Sequence, residues 1–245
     1  MADARPVVKR FWKEVAVKRT GAGWEIRLDG RPARTPGRVP LALPTRAMAD
    51  AIANEWRAVA EDIDPRAMPL TGLANAAIDR IAPDTEAFAA GLARYGESDL
   101  LCYRSDHPAL LRERQDRLWD TPLDWARGRY DVHFEIVTGI MHRAQPDATL
   151  ARLADAITAR DAFALAALNQ VVTITGSLVL ALALAEGAMN ADAVWQAANL
   201  DEDWQIEQWG EDSFATQARA IRQADYDAAV RFLGLCGIES DQPPT

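Results

Sequence analysis

The strongest constraint on what this chain can fold into is a change of period near residue 44. Before it, apolar residues alternate. In GWEIRLDG, Trp24, Ile26 and Leu28 alternate with Glu25, Arg27 and Asp29, the period-2 pattern of a half-buried strand. RFWKEVAVKR shows the same alternation, with Phe11, Lys13, Val15 and Val17 on one parity. Asp29-Gly30 is a turn signal. The run RPARTPGRVPLALPT carries Pro32, Pro36, Pro40 and Pro44. Those prolines exclude a helix and suit edge strands. Residues from about 7 to 43 therefore read as a small antiparallel β unit.

After Pro44 the spacing becomes helical. Thr45 is an N-cap, followed by Met48, Ile52, Trp56 and Val59. Asp64-Pro65 ends that helix. Thr71 and Asp84 are caps of two further helices, and Pro108 opens a fourth that carries Leu111, Leu118 and Trp119. YDVHFEIV, from Tyr130 to Val137, alternates like a short strand. From Asp147 onward the pattern is helical throughout: Leu150 to Ile157, the uncharged run, Ala191 to Leu200, then one helix expected from the acidic segment at Leu200 on to about Leu235, with a frayed, Pro-rich tail from Glu239. Strands first and helices afterwards predict an α+β protein. It has a β-rich N-terminal domain with a first helix over 1–65 and a larger all-helical domain over 66–245.

The uncharged run Ala162 to Ala185 is long enough to cross a bilayer. Asn169, Gln170, Thr173, Thr175, Gly176 and Ser177 fill its middle, where lipid tolerates them worst, so it reads as a buried central helix with no stable membrane insertion. The formal charge is −9, with no dense lysine and arginine cluster, which argues against nucleic acid as a partner. The two cysteines, Cys102 and Cys236, lie far apart and point to a reducing compartment. The first twenty residues lack the apolar core of a signal peptide and carry Asp3 and Glu14, poor features for a transit peptide.

Chemistry is sought most naturally in LDEDWQIEQWGED, Leu200 to Asp212, which holds two tryptophans among six carboxylates. His107, His133 and His142 form no ligand spacing, and no CxxC is present, so no metal and no cofactor are expected. No GxSxG elbow or phosphate-cradling glycine loop occurs. Cys102 and His107 make only a weak pair, since Leu100 and Leu101 mark a packed cysteine. On a helix Asp203, Glu207 and Glu211 share a face and repel, so something must compensate. Ile206 and Trp209 form an apolar pair expected to anchor the helix to the core, and Trp56 is expected in the core of its own helix. Two readings of the acidic face follow: a grip on a basic partner, or a metal- or carboxylate-dependent hydrolase. The grip needs carboxylates alone. An enzyme needs a His or Lys partner that the segment lacks.

Six ordered segments carry a resemblance: RFWKEVAV (10–17), LDGRPARTP (28–36), LALPTRAMADAIANEW (41–56), MPLTGLANAAID (68–79), YGESDLLCYR (95–104) and DWQIEQWGED (203–212). Together they resemble the F1-ATPase assembly chaperones that act on the α subunit, found in mitochondria and in some bacteria. The resemblance implies a small β domain before a larger helical one, no catalysis, and binding of the free F1 α subunit before it meets β. It implies a functionally essential acidic residue in the helical domain. Relatives tend to show Glu just after the Leu where this chain has Asp201, so Asp201, Glu202 and Glu207 are the candidates, and Glu211 completes the expected partner-binding set. The expected protein is a monomer of the bacterial cytoplasm, with mitochondrial-matrix relatives.

Overall fold

In a computed structural model, residues 8–237 are described; the expectation of a frayed tail lies outside them. The protein is α+β, a small antiparallel sheet followed by helices. It divides into two compact units. One takes the residues up to 83, with 162–166 and those from 231 on; the other takes 84–161 and 167–230. The expected division after residue 65 falls within the first unit.

In the first unit, β1 (Val15–Thr20) pairs antiparallel with β2 (Gly23–Leu28), from Val15↔Leu28 to Thr20↔Gly23. β2 also pairs with β3 (Arg31–Pro32) and β4 (Ala42–Leu43). Pro32 sits on an edge strand, where its missing N–H costs no ladder bond. Asp29 and Gly30 both have positive φ, 49° and 76°, the conformation of a two-residue hairpin turn. The strand expected from residue 10 starts only at Val15. The amides of Lys13 and Glu14 donate to the Asp29 carboxylate at 3.0 and 2.8 Å, and Arg10 N donates to Glu61 O at 2.7 Å. The backbone before Val15 is thus satisfied away from the sheet.

Ile26, Leu41 and Leu43 are buried together with Met48 and Ile52 of α1 (Arg46–Ala58), which packs on the sheet. Thr45 caps α1 by accepting from Met48 N at 3.1 Å, as its sequence position predicts. Trp56 is half-buried, and its ring packs on that of Trp12 with centroids 5.0 Å apart.

Thr71 is not a cap. α2 (Pro69–Ala76) starts two residues earlier, and Glu55 of α1 supplies the missing acceptors. Its carboxylate takes hydrogen bonds from Leu70 N and Thr71 N, both at 2.8 Å, and from Thr71 Oγ1 at 2.7 Å. Capping from a neighbouring helix fixes α2 against α1. Glu55→Ala is expected to lower the unfolding free energy by about 2 kcal/mol, and Glu55→Gln by about half as much, read from urea midpoints. Equal midpoints for wild type and Glu55→Ala would show that water replaces the cap.

In the second unit, Asp84 caps α3 (Thr85–Ala93) through Ala87 N at 3.0 Å, as expected. β5 (Tyr103–Arg104) precedes α4 (Ala109–Tyr130). It pairs in parallel with β6 (Val137–Thr138). The strand expected over Tyr130–Val137 reduces to its last residue. Its backbone is held by two buried side chains instead: Thr149 Oγ1 bonds His133 N and O, and Gln145 bonds Glu135 N and O. α5 (Asp147–Thr158) packs on α3.

The uncharged run is two helices. α6 (Ala162–Thr175) ends at Gly176, whose φ is +67°, and Ser177 caps α7 (Leu178–Ala185) through Leu180 N at 3.0 Å. Gly in the left-handed region followed by Ser is a stop and a start. Asp99, fully buried, accepts from Leu101 N and Val179 N and so ties this N-terminus to the segment before β5. No helix of the described residues is long and apolar enough to cross a membrane. α8 (Ala191–Ala198) and α9 (Leu200–Trp209) follow, and Gly210 at φ +84° separates α9 from α10 (Ser213–Cys236). The separate helix expected over 191–200 is α8, while the single helix expected from Leu200 to about Leu235 is broken at Gly210.

Candidate interaction surface

α9 carries the acidic segment as far as Trp209; Glu211 lies past the break at Gly210 and does not share a helix face with Asp203 and Glu207 as the spacing predicts. Its start follows α8 directly, and one side packs on α4. Leu200 and Trp204, four apart, face inward; Trp204 is 8% exposed. Trp209 is not the anchor expected from its pairing with Ile206. It lies five residues past Trp204, about 140° around the helix, and is 78% exposed. Ile206 is half-buried. The inward role thus belongs to Trp204. The i, i+4 spacing from Leu200 carried that signal.

The repulsion between the carboxylates is compensated by arginines distant in sequence. Arg114 of α4 reaches both oxygens of Glu207 at 2.8 and 2.7 Å. Its guanidinium also lies 4.8 Å from the Trp204 ring centroid, a cation–π position. From α10, Arg219 pairs with Asp203 and Arg222 with Glu202, both at 2.5 Å. Asp201 differs. It accepts from the Gln115 amide at 2.8 Å, and Gln115 in turn holds Ser105 N at 2.7 Å. Asp201 and Glu211 make no ion pair among the described residues.

This arrangement bears on the two readings of the acidic face. Guanidinium groups occupy the positions that a bound cation would take at Glu202, Asp203 and Glu207. Among the described residues, no three His, Cys, Asp or Glu side chains are grouped to hold a metal. Cys102 is fully buried, and that burial pushes its thiol up to about 12, so it offers no thiolate nucleophile. His142 Nδ1 lies 3.0 Å from the Tyr103 hydroxyl. What the surface does offer is contact area: Trp209, Ile140 (96% exposed) and Met141 (76% exposed) stand in solvent.

The family model of the ATP12 chaperone protein matches residues 9–127. Among solved structures, Atp12 from Paracoccus denitrificans is 42% identical, with 93% of this chain and 98% of that one covered at a TM-score of 0.89. A candidate chaperone from Agrobacterium tumefaciens is 45% identical over 94% of this chain and 87% of its own, also at 0.89. The mitochondrial protein atp12 of Schizosaccharomyces pombe is 25% identical over 218 residues, 84% of this chain and 75% of that protein. Matched in sequence and fold over nearly its whole length, the chain belongs to the ATP12 chaperone family, a family of chaperones and not of enzymes.

Proposed function

We propose that this protein is an F1-ATPase assembly chaperone that binds the free F1 α subunit, shields the interface meant for β, and yields it during assembly. The observation that supports this most is the near full-length match to Atp12, joined to the ordered segments noted in the sequence. The physical need is plain: an unassembled α subunit exposes a large, partly apolar interface prone to aggregation. A temporary cover must bind that surface and still exchange with β, which charged contacts permit better than a wholly apolar seal.

The acidic segment is the proposed contact. Within it, Asp201 and Glu211 lead, because no arginine among the described residues forms an ion pair with them. Glu202 and Glu207 take part only by exchanging Arg222 or Arg114 for a client cation. Under this reading Trp56 and Ile206 serve the fold. The protein acts as a monomer where F1 subunits are made, in a bacterium the cytoplasm.

Co-expression with F1 α, followed by pull-down at low and high salt, tests the reading. The expected result is soluble α captured at low salt and lost progressively as salt rises. Charge reversal at Asp201 should weaken capture by about tenfold, more than reversal at Glu202 or Glu207. If the purified protein neither captures α nor suppresses its aggregation, the proposal is wrong.

A further inference from the structure

We propose that a depression beside α9 is a docking site for a client segment in which a bulky apolar side chain lies next to an arginine or lysine. The inference rests on the chaperone reading above and supplies the chemistry of the client's contact. The depression has a volume of about 360 Å³ and belongs wholly to the second unit. Pro108 and Leu111 line it from the start of α4, Ile140 from the loop after β6, and Trp204 and Trp209 from α9. Scattered exposed apolar residues are ordinary, but here an exposed isoleucine and an exposed tryptophan line the same depression, with Met141 next in sequence. Such a grouping marks a contact site. Aromatic and aliphatic walls around a concavity fit a large side chain.

The charge around that rim selects what accompanies the apolar group. Asp106 and Asp201 both line the depression. Asp106 makes no ion pair among the described residues, and Asp201 is held only by a neutral amide. Arg104 also lines it, but Asp120 at 2.6 Å and Asp116 at 3.5 Å already match its charge. The lining is left negative, in the same sense as the whole chain. A cation beside the apolar side chain gains from both carboxylates, whereas an acidic segment is repelled. A purely basic segment would leave Ile140 and Trp209 exposed.

Fluorescence anisotropy with short labelled peptides tests this directly. One peptide has a Leu-Phe centre flanked by arginines, a second has the same centre flanked by glutamates, and a third has a serine centre flanked by arginines. The wild-type protein should bind the first saturably and the other two far more weakly. Ile140→Ser combined with Trp209→Ser should weaken that binding by about tenfold, and Asp201→Asn by several-fold. Ile221→Ser, an exposed position of α10 outside the depression, should leave it unchanged. Ile140, Trp209 and Ile221 are exposed and Asp201 is half-buried; melting temperatures near wild type confirm that the variants fold. No saturable binding of the first peptide, equal binding of the glutamate-flanked one, or an unaffected double variant would each overturn the assignment. Capture of F1 α is measured alongside. Capture of α with negative peptide results removes the docking site and leaves the chaperone reading. Positive peptide results without capture of α support the site and remove α as the client.

Discussion

Asp99→Ala is expected to destabilise the second unit by about 3 kcal/mol, one of the largest losses for a single polar side chain in the molecule. Asp99 is wholly buried, and its two carboxylate oxygens accept from Leu101 N at 3.1 Å and Val179 N at 3.0 Å. Alanine would leave both amides without those acceptors, one of them in the first turn of α7. The same group makes stability depend on pH. Burial pushes the carboxyl up from its ordinary 3.8 to about 6, against the pull of hydrogen bonds from Val179, Ser177 and Leu101. Because the folded value lies above the unfolded one, the contribution is fully present below about pH 4 and is lost as pH rises through 6. Asparagine does not titrate. The stability of wild type relative to Asp99→Asn should therefore be greater at pH 4 than at pH 7 by about 2–3 kcal/mol. Urea titrations of both proteins at the two pH values measure it. A difference that stays constant with pH would mean that Asp99 is ionised throughout.

Local chemistry was legible in the sequence wherever a residue's role is fulfilled within three or four positions of itself. Thr45 and Asp84 were identifiable as caps because an N-cap bonds its own helix. β2 was identifiable because its alternation matches the face that Ile26 and Leu28 bury. Failures occurred where the partner is distant. Thr71 resembles a cap, yet the acceptor is Glu55, on another helix. YDVHFEIV alternates, yet its backbone is claimed by Gln145 and Thr149. The breaks at Gly176 and Gly210 had a signal, a glycine at each site, that helical periodicity across it concealed. The acidic face shows the limit most plainly. Sequence spacing revealed the repulsion between Asp203 and Glu207 but not the arginines that answer it, and it placed Glu211 on the same face although α9 ends at Trp209. The arginines come from positions 114 and 219, on two other helices. Under the proposed reading, what remains for a partner is not the whole carboxylate row but Asp201, Glu211 and the exposed Trp209.

Trp119→Ala should cost about 4–5 kcal/mol, the largest single loss expected from the helical core. Trp119 is 1% exposed and is the largest of the fully buried side chains. Deleting an indole from such a site leaves a cavity worth about 3–5 kcal/mol. Two further contacts are lost with it. The indole Nε1 donates to Ala197 O at 2.8 Å, satisfying one of the carbonyls that the last turn of α8 leaves without a helical partner. The ring also lies 5.1 Å beneath the guanidinium of Arg104, itself buried. Trp119→Phe separates these effects, because it keeps most of the volume and the ring face but removes the N–H; its expected cost is about 1–2 kcal/mol. The consequence reaches the interaction surface through the chain itself. α8 ends at Ala198 and α9 begins at Leu200, so the carbonyl held by Trp119 lies four residues before Asp201. Releasing it should loosen the start of α9 and expose the Asp201–Gln115 bond to water. Amide hydrogen exchange in Trp119→Phe should accordingly quicken at Leu200–Trp204 while staying near wild type in α3 and α5. Uniform acceleration across all helices would show that the substitution acts only through global stability, and that Trp119 does not position α9.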